Sequence, residues 1–219
     1  MTTIAIIGAG PGLGAAVARR FGREGHSAAL LSRTRAHVDR LAAELAEDGV
    51  RARGYEADVA DRQRLVDALE AADQELGPIE VLQYSPVPHR DFLRPVLDTT
   101  VEDLGAALEF SVHGSATAVR QVLPGMTDRG KGTILLVNGG SAAVPNGAVA
   151  GTSVAFAGES AYGEMLHDAL APQNVHVGQL VVPGAIGGGD PLFAPDALAE
   201  RLWTMHSQRG NFRVTVSPA

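Results

Sequence analysis

Short apolar runs alternate with longer amphipathic stretches along the whole of this 219-residue chain. That alternation admits few folds, because an apolar run buried on both faces is a strand with helices above and below it. Strands are expected at Thr3 to Ile7, Ala28 to Ser32, Val50 to Glu56, Val81 to Tyr84, Gly132 to Asn138, His176 to Val182 and Phe212 to Val216. Helices are expected at Leu13 to Arg23, Arg35 to Asp48, Arg62 to Leu76, Val101 to Arg129, Gly151 to Ala171 and Asp196 to Arg209. Strands separated by helical stretches pair in parallel. The reading is therefore α/β: a doubly wound (Rossmann) parallel seven-stranded sheet with helices on both faces. The length suits one domain over residues 1–219, with 1–100 mainly a dinucleotide-binding half and 101–219 mainly an active-site and self-association half. The Gly/Pro-rich stretch from Pro183 to Pro195 reads as a loop over the sheet's C-terminal edge, where ligands bind in such folds.

A formal net charge of −7 argues against nucleic acid or an anionic membrane as partner. The absence of cysteine excludes disulfides, thiolate chemistry and cysteine-bound zinc. The seven histidines show no metal-ligand spacing, so no metal site is expected. No signal-peptide pattern and no apolar run of roughly 18 residues is visible, which makes cytoplasmic the expected compartment.

After the first strand, Gly8-Ala9-Gly10-Pro11-Gly12-Leu13-Gly14 opens a helix. Glycines there allow a tight turn, close backbone approach to a pyrophosphate and close helix-to-strand packing. The helix start adds free N–H groups and a partial positive charge. Gly8, Gly10, Pro11, Gly12, Leu13 and Gly14 are thus expected to hold a dinucleotide.

The Gly-x3-Gly-x-Gly spacing resembles the short-chain dehydrogenase/reductase (SDR) family, and the likeness runs through nearly the whole chain. Ala57-Asp58-Val59 looks like that family's adenine contact, Pro183-Gly184-Ala185-Ile186 like its nicotinamide-facing turn, and Leu123-Pro124-Gly125-Met126 like the end of its fourth helix. The resemblance implies cofactor contacts at Asp58, Val59, Ser85, Pro183, Gly184 and Ile186. NAD-binding members end strand two with a carboxylate that would repel a 2′-phosphate. Here strand two ends Leu31-Ser32-Arg33-Thr34-Arg35, with no acid between Gly25 and Val38. Arg33 can pair with a phosphate and Ser32 can donate to it, so NADP(H) is expected over NAD(H).

The chemical end departs from the family. Its catalytic tetrad is an Asn, a Ser, and a Tyr-x-x-x-Lys pair. The chain has one lysine, Lys131, and Val59, Pro88 and Leu166 stand four residues beyond its three tyrosines. The segment Val137-Asn138-Gly139-Gly140-Ser141 places the catalytic serine at Ser141, and spacing places the tyrosine and lysine positions at Val154 and Gly158. Ser111 stands where the asparagine is expected. Tyr84 ends strand four beside the expected nicotinamide pocket, as a hydrogen-bond donor with an ordinary pKa near ~10. His113 could relay a proton, or be a plain helix histidine, and His89 is either a substrate contact or none.

Three readings stay open. One is an NADPH-dependent oxidoreductase acting on a small carbonyl, enone or quinone with a non-standard acid–base arrangement. Another is a non-catalytic NADP(H) sensor or scaffold. The third is a non-redox isomerase or lyase on the same fold. SDR proteins commonly pair through their fourth and fifth helices, which implies a homodimer or homotetramer.

Overall fold

The first strand, β1 (Thr3–Ile7), shows how the sheet is covered. All five residues are buried, and successive side chains point to opposite faces. Ile4 and Ile6 enter the core of one face, Ala5 and Ile7 that of the other. The computed structural model describes residues 2–217. It continues with α1 (Leu13–Gly22), β2 (Ser27–Ser32), α2 (Arg35–Glu47), β3 (Ala52–Glu56), α3 (Arg62–Leu76), β4 (Ile79–Tyr84), α4 (Val101–Leu108), α5 (Gly114–Asp128), β5 (Gly132–Gly139), α6 (Ala150–Leu170), β6 (Val175–Val182), α7 (Pro195–Gln208) and β7 (Arg213–Thr215).

The seven strands form one sheet in the order β3-β2-β1-β4-β5-β6-β7, with every pairing parallel. Val17 and Phe21 of α1, Val38 and Leu41 of α2, and Leu198 and Leu202 of α7 cover one face. Leu65 and Leu69 of α3, Val119 and Val122 of α5, and Leu170 of α6 cover the other. Each fully buried aliphatic side chain of this kind contributes about 1.5–3 kcal/mol. The chain runs from β1 outward to β3, then returns to place β4 against β1. The connections leaving β1 and β4 therefore part in opposite directions, opening a crevice at their C-terminal ends.

The expected helix from Val101 to Arg129 is not uniformly α-helical. A π turn, Glu109–His113, separates α4 from α5, and the Gly114 N–H reaches back to the Glu109 carbonyl. The wider turn leaves the Phe110 carbonyl to accept the Tyr84 hydroxyl. It also sets Gly114 against that hydroxyl, where a Cβ would collide. The strand expected from Val50 begins at Ala52, because the Val50 N–H closes the end of α2 on the Leu45 carbonyl. No helix among the described residues is long and apolar enough to cross a membrane.

Candidate active site

The crevice holds a cavity of about 1000 Å³. Its walls are the glycine loop after β1, the loop Ser85 to Pro88 after β4, the end of β5 with the following turn, the start of α6 and the turn after β6. A smaller hollow of about 280 Å³ adjoins it and shares Gly8, Gly10, Pro86 and Val87. Together they form a groove that crosses the sheet edge from β6 to β2.

The glycines divide into two kinds. Gly8 has φ +85°, and a Cβ there would come within 2.5 Å of Pro86 Cα, so this position requires glycine for conformation and for space. Gly10 and Gly12 have open space where a side chain would stand. That space lies before the start of α1, whose first N–H groups have no partner within the helix. The pair thus leaves a backbone-lined channel suited to a pyrophosphate.

At the β2 end, Ser32, Arg33, Thr34 and His37 line the smaller hollow with Ala57, Val59 and Phe110. Arg35 is tied to Asp39 at 2.7 Å. Arg33 is exposed and forms no hydrogen bond or ion pair among the described residues. A free guanidinium beside a hydroxyl is the donor set a 2′-phosphate needs. His37 was not anticipated from sequence, because a lone histidine in a helix's first turn carries no signal. Asp58 does not line the hollow with its neighbours; its carboxylate accepts the Ala60 N–H at 3.0 Å.

In the larger cavity, Pro11, Leu13, Gly14, Ser85, Ser141, Pro183, Gly184 and Ile186 of the expected site residues line the wall. Three anticipated residues do not. Tyr84 is 1% exposed, sealed in the core beneath α5, and burial pushes its phenol well above the usual range. Ser111 is buried in the π turn away from the cavity, and its hydroxyl does not line it. His113 sits on the outer surface, bonded to Glu109 and to Arg62. The alternation along β4 explains Tyr84: Gln83 and Tyr84 point to opposite faces, and Tyr84 faces the layer of α3 and α5. His89 is exposed and pairs with Asp91 at 3.0 Å, outside the cavity lining.

The α6 positions also need correction. Val154 is 47% exposed and a Cβ on Gly158 would lie 3.1 Å from Val112, so neither faces the cavity. The α6 side chains that do are Thr152 and Phe156, two residues earlier and one helical turn apart. The Thr152 hydroxyl donates to the Val149 carbonyl at 3.1 Å. No ionisable side chain lines the larger cavity among the described residues.

A buried polar chain backs this wall. Asn138 lines the cavity, donates through Nδ2 to Glu159 at 3.2 Å, and accepts from Gln179 at 2.9 Å. Gln179 accepts in turn from the Ser160 hydroxyl at 2.8 Å and from Arg213 at 3.0 Å. Glu159 is 1% exposed, and burial pushes its carboxyl up to about 8, opposed only by the Asn138 bond. Its second oxygen is buried without a partner. The sequence signal was a Glu-Ser pair interrupting the small apolar residues of α6.

The short chain dehydrogenase family profile matches residues 2–189. The chain is 30% identical over 182 residues to a 2,3-dihydro-2,3-dihydroxybenzoate dehydrogenase of Bacillus subtilis, covering 82% of this chain and 68% of that protein. It is 30% identical over 178 residues to human dehydrogenase/reductase SDR family member 4, covering 80% of this chain. It spans 62% of that relative's length. A metagenomic short-chain oxidoreductase solved with NADP superimposes with a TM-score of 0.87 at 19% identity, over 100% of this chain and 97% of that one.

Proposed function

This chain belongs to the short-chain dehydrogenase family, and on that footing we propose that it is an oxidoreductase that takes NADP(H) in preference to NAD(H) and acts on an apolar carbonyl, enone or quinone. The observation that carries the cofactor reading is Arg33: a free guanidinium at the end of β2, with Ser32 beside it and no carboxylate lining the hollow. The glycine channel at Gly10 and Gly12 supports the pyrophosphate, and Pro183, Gly184 and Ile186 line the wall where a nicotinamide would lie. The bound dinucleotide would supply or accept the hydride.

The protein's own part is orientation and exclusion of water. Ser141, on the turn after β5, is the hydroxyl positioned to donate to a substrate oxygen. Val87, Leu93, Val144 and Ile186 surround the cavity while remaining exposed, with Phe156 on its inner wall, which favours an apolar substrate. Thr152 and Phe156 are the side chains that α6 presents to the cavity, one helical turn apart as a Tyr-x-x-x-Lys pair would be. Neither is an acid or base, so the proton comes from solvent. Losing a positioned general acid costs typically 10²–10⁴-fold, a loss that quinones and activated enones tolerate because their reduced forms protonate from water. A quinone and enone panel followed by NADPH absorbance tests this: turnover is expected, slow, with kcat/KM varying less than about threefold between pH 6 and 9. Consumption of NADH in preference to NADPH would overturn the cofactor reading. Tight NADPH binding with no turnover on any member of the panel would favour a second reading, a dinucleotide-binding sensor, which the same absence of ionisable groups supports. Self-association through the outer faces of α4 and α6 belongs to this proposal, since Val101, Val154 and Met165 leave apolar side chains exposed there.

A further inference from the structure

At the opposite end of the sheet, where the strands begin, three side chains from distant parts of the chain converge. His26 precedes β2, Glu80 is the second residue of β4, and His206 lies in the last turn of α7. One ligand-capable atom from each stands within 4.8 Å of the other two. Sequence spacing predicts no metal site because these positions are 54 and 126 residues apart, the differences 80 − 26 and 206 − 80.

The arrangement is more than proximity. His26 Nδ1 lies 3.2 Å from the Thr2 hydroxyl and His206 Nδ1 lies 2.9 Å from the Thr133 hydroxyl. With those hydroxyls accepting, each Nδ1 carries the proton and each Nε2 keeps its lone pair. An outer hydrogen bond on one ring nitrogen is what orients a metal-bound imidazole. Glu80 is 4% exposed, and Lys131 pairs with its Oε1 at 2.9 Å, while a carboxylate oxygen lies within 4.8 Å of a ring nitrogen of each histidine. No hydrogen bond joins Glu80 to either histidine among the described residues. The rings of Phe21 and Trp203 wall the histidines at centroid distances of 5.2 to 6.2 Å.

We propose that His26, Glu80 and His206 form a zinc site that clamps α7 to the starting edge of the sheet. Zinc takes imidazole nitrogen and carboxylate oxygen at about 2.0–2.2 Å in a tetrahedral set, with water able to fill a fourth position. Three donors no more than 4.8 Å apart stand at most about 2.8 Å from a common centre. Side-chain rotations of under about 1 Å close that gap. Two neutral imidazoles and one carboxylate leave a net positive centre, so the Lys131 ammonium competes with the ion for Glu80.

The test uses untagged protein stripped with a chelator, then titrated with Zn²⁺ and separately with Co²⁺. The expected result is one Zn²⁺ per chain, a rise in Tm with zinc, and a tetrahedral Co²⁺ absorption band. His26→Gln and His206→Gln are each expected to weaken zinc about 100-fold or more and to cancel the Tm rise. His89→Gln should leave the stoichiometry unchanged, and Lys131→Met should tighten binding. Should the histidine variants fail to fold, the unaltered protein still decides: no cobalt band and no Tm rise at stoichiometric metal overturns the proposal. Zinc binding that survives in both folded histidine variants overturns it equally.

Discussion

Arg33 and Glu159 are single residues whose surroundings set a measurable consequence. Removing one charge-assisted contact to a phosphate costs about 1.5–3 kcal/mol. Arg33→Ala should therefore weaken NADPH binding about 10–100-fold and leave NADH within about threefold, read by fluorescence titration of both. For Glu159 the folded carboxyl titrates at about 8, above the ordinary glutamate value near ~4.3 that applies when the chain unfolds. Between those values the folded state holds a proton that the unfolded state has lost. Its contribution is complete at low pH and falls by about 1.4 kcal/mol per unit as pH rises toward 8, then levels off. Glu159→Gln keeps an amide for the Asn138 contact and removes the ionisation. Urea unfolding at pH 5.5 and 7.5 should show a smaller pH dependence in the variant, which becomes the more stable protein at the higher pH. The sequence alone exposes Arg33, because its meaning depends on neighbours a few residues away. Glu159, Asn138 and Gln179 come from three elements, and their meeting depends on the register of β5 against β6 and on the facing of α6.

Among elements, the glycine loop and the π turn separate what local pattern reveals from what packing imposes. A Cβ on Gly12 meets nothing within 4 Å, whereas one on Gly114 meets the Tyr84 hydroxyl. Gly12→Ala should leave thermal stability nearly unchanged while reducing NADPH affinity. Gly114→Ala should cost about 1–3 kcal/mol through overpacking, measured by chemical denaturation without cofactor. Strands and helices were legible because the period of apolar residues switches between two and 3.6 along the chain. The π turn was not, since it answers to the tyrosine of another strand. The facing of α6 has a similar cause: the turn from Ser141 to Val149 has no periodicity to count, so packing decides that Thr152 and Phe156 reach the cavity and Val154 and Gly158 do not.

For the molecule as a whole, the parallel sheet divides labour between its two ends. The cavity gathers where the strands finish, and the His26–Glu80–His206 cluster gathers where they start. Saturating NADPH should raise Tm, by linkage to a site present only in the folded state. Light scattering at micromolar concentration should report a dimer or tetramer, and Met165→Glu, placing charge on an exposed apolar side chain of α6, should shift it toward monomer. Doubly wound topology was readable from the order of elements, and with it the place of the crevice. Lys131, the chain's one lysine, belongs to the starting end of the sheet through its pairing with Glu80. Side-chain amine chemistry therefore has a single address on this protein, 61% exposed and on the far side from the cofactor groove. Coupling to a surface through that amine would hold every molecule in one orientation, with the cavity facing the solution.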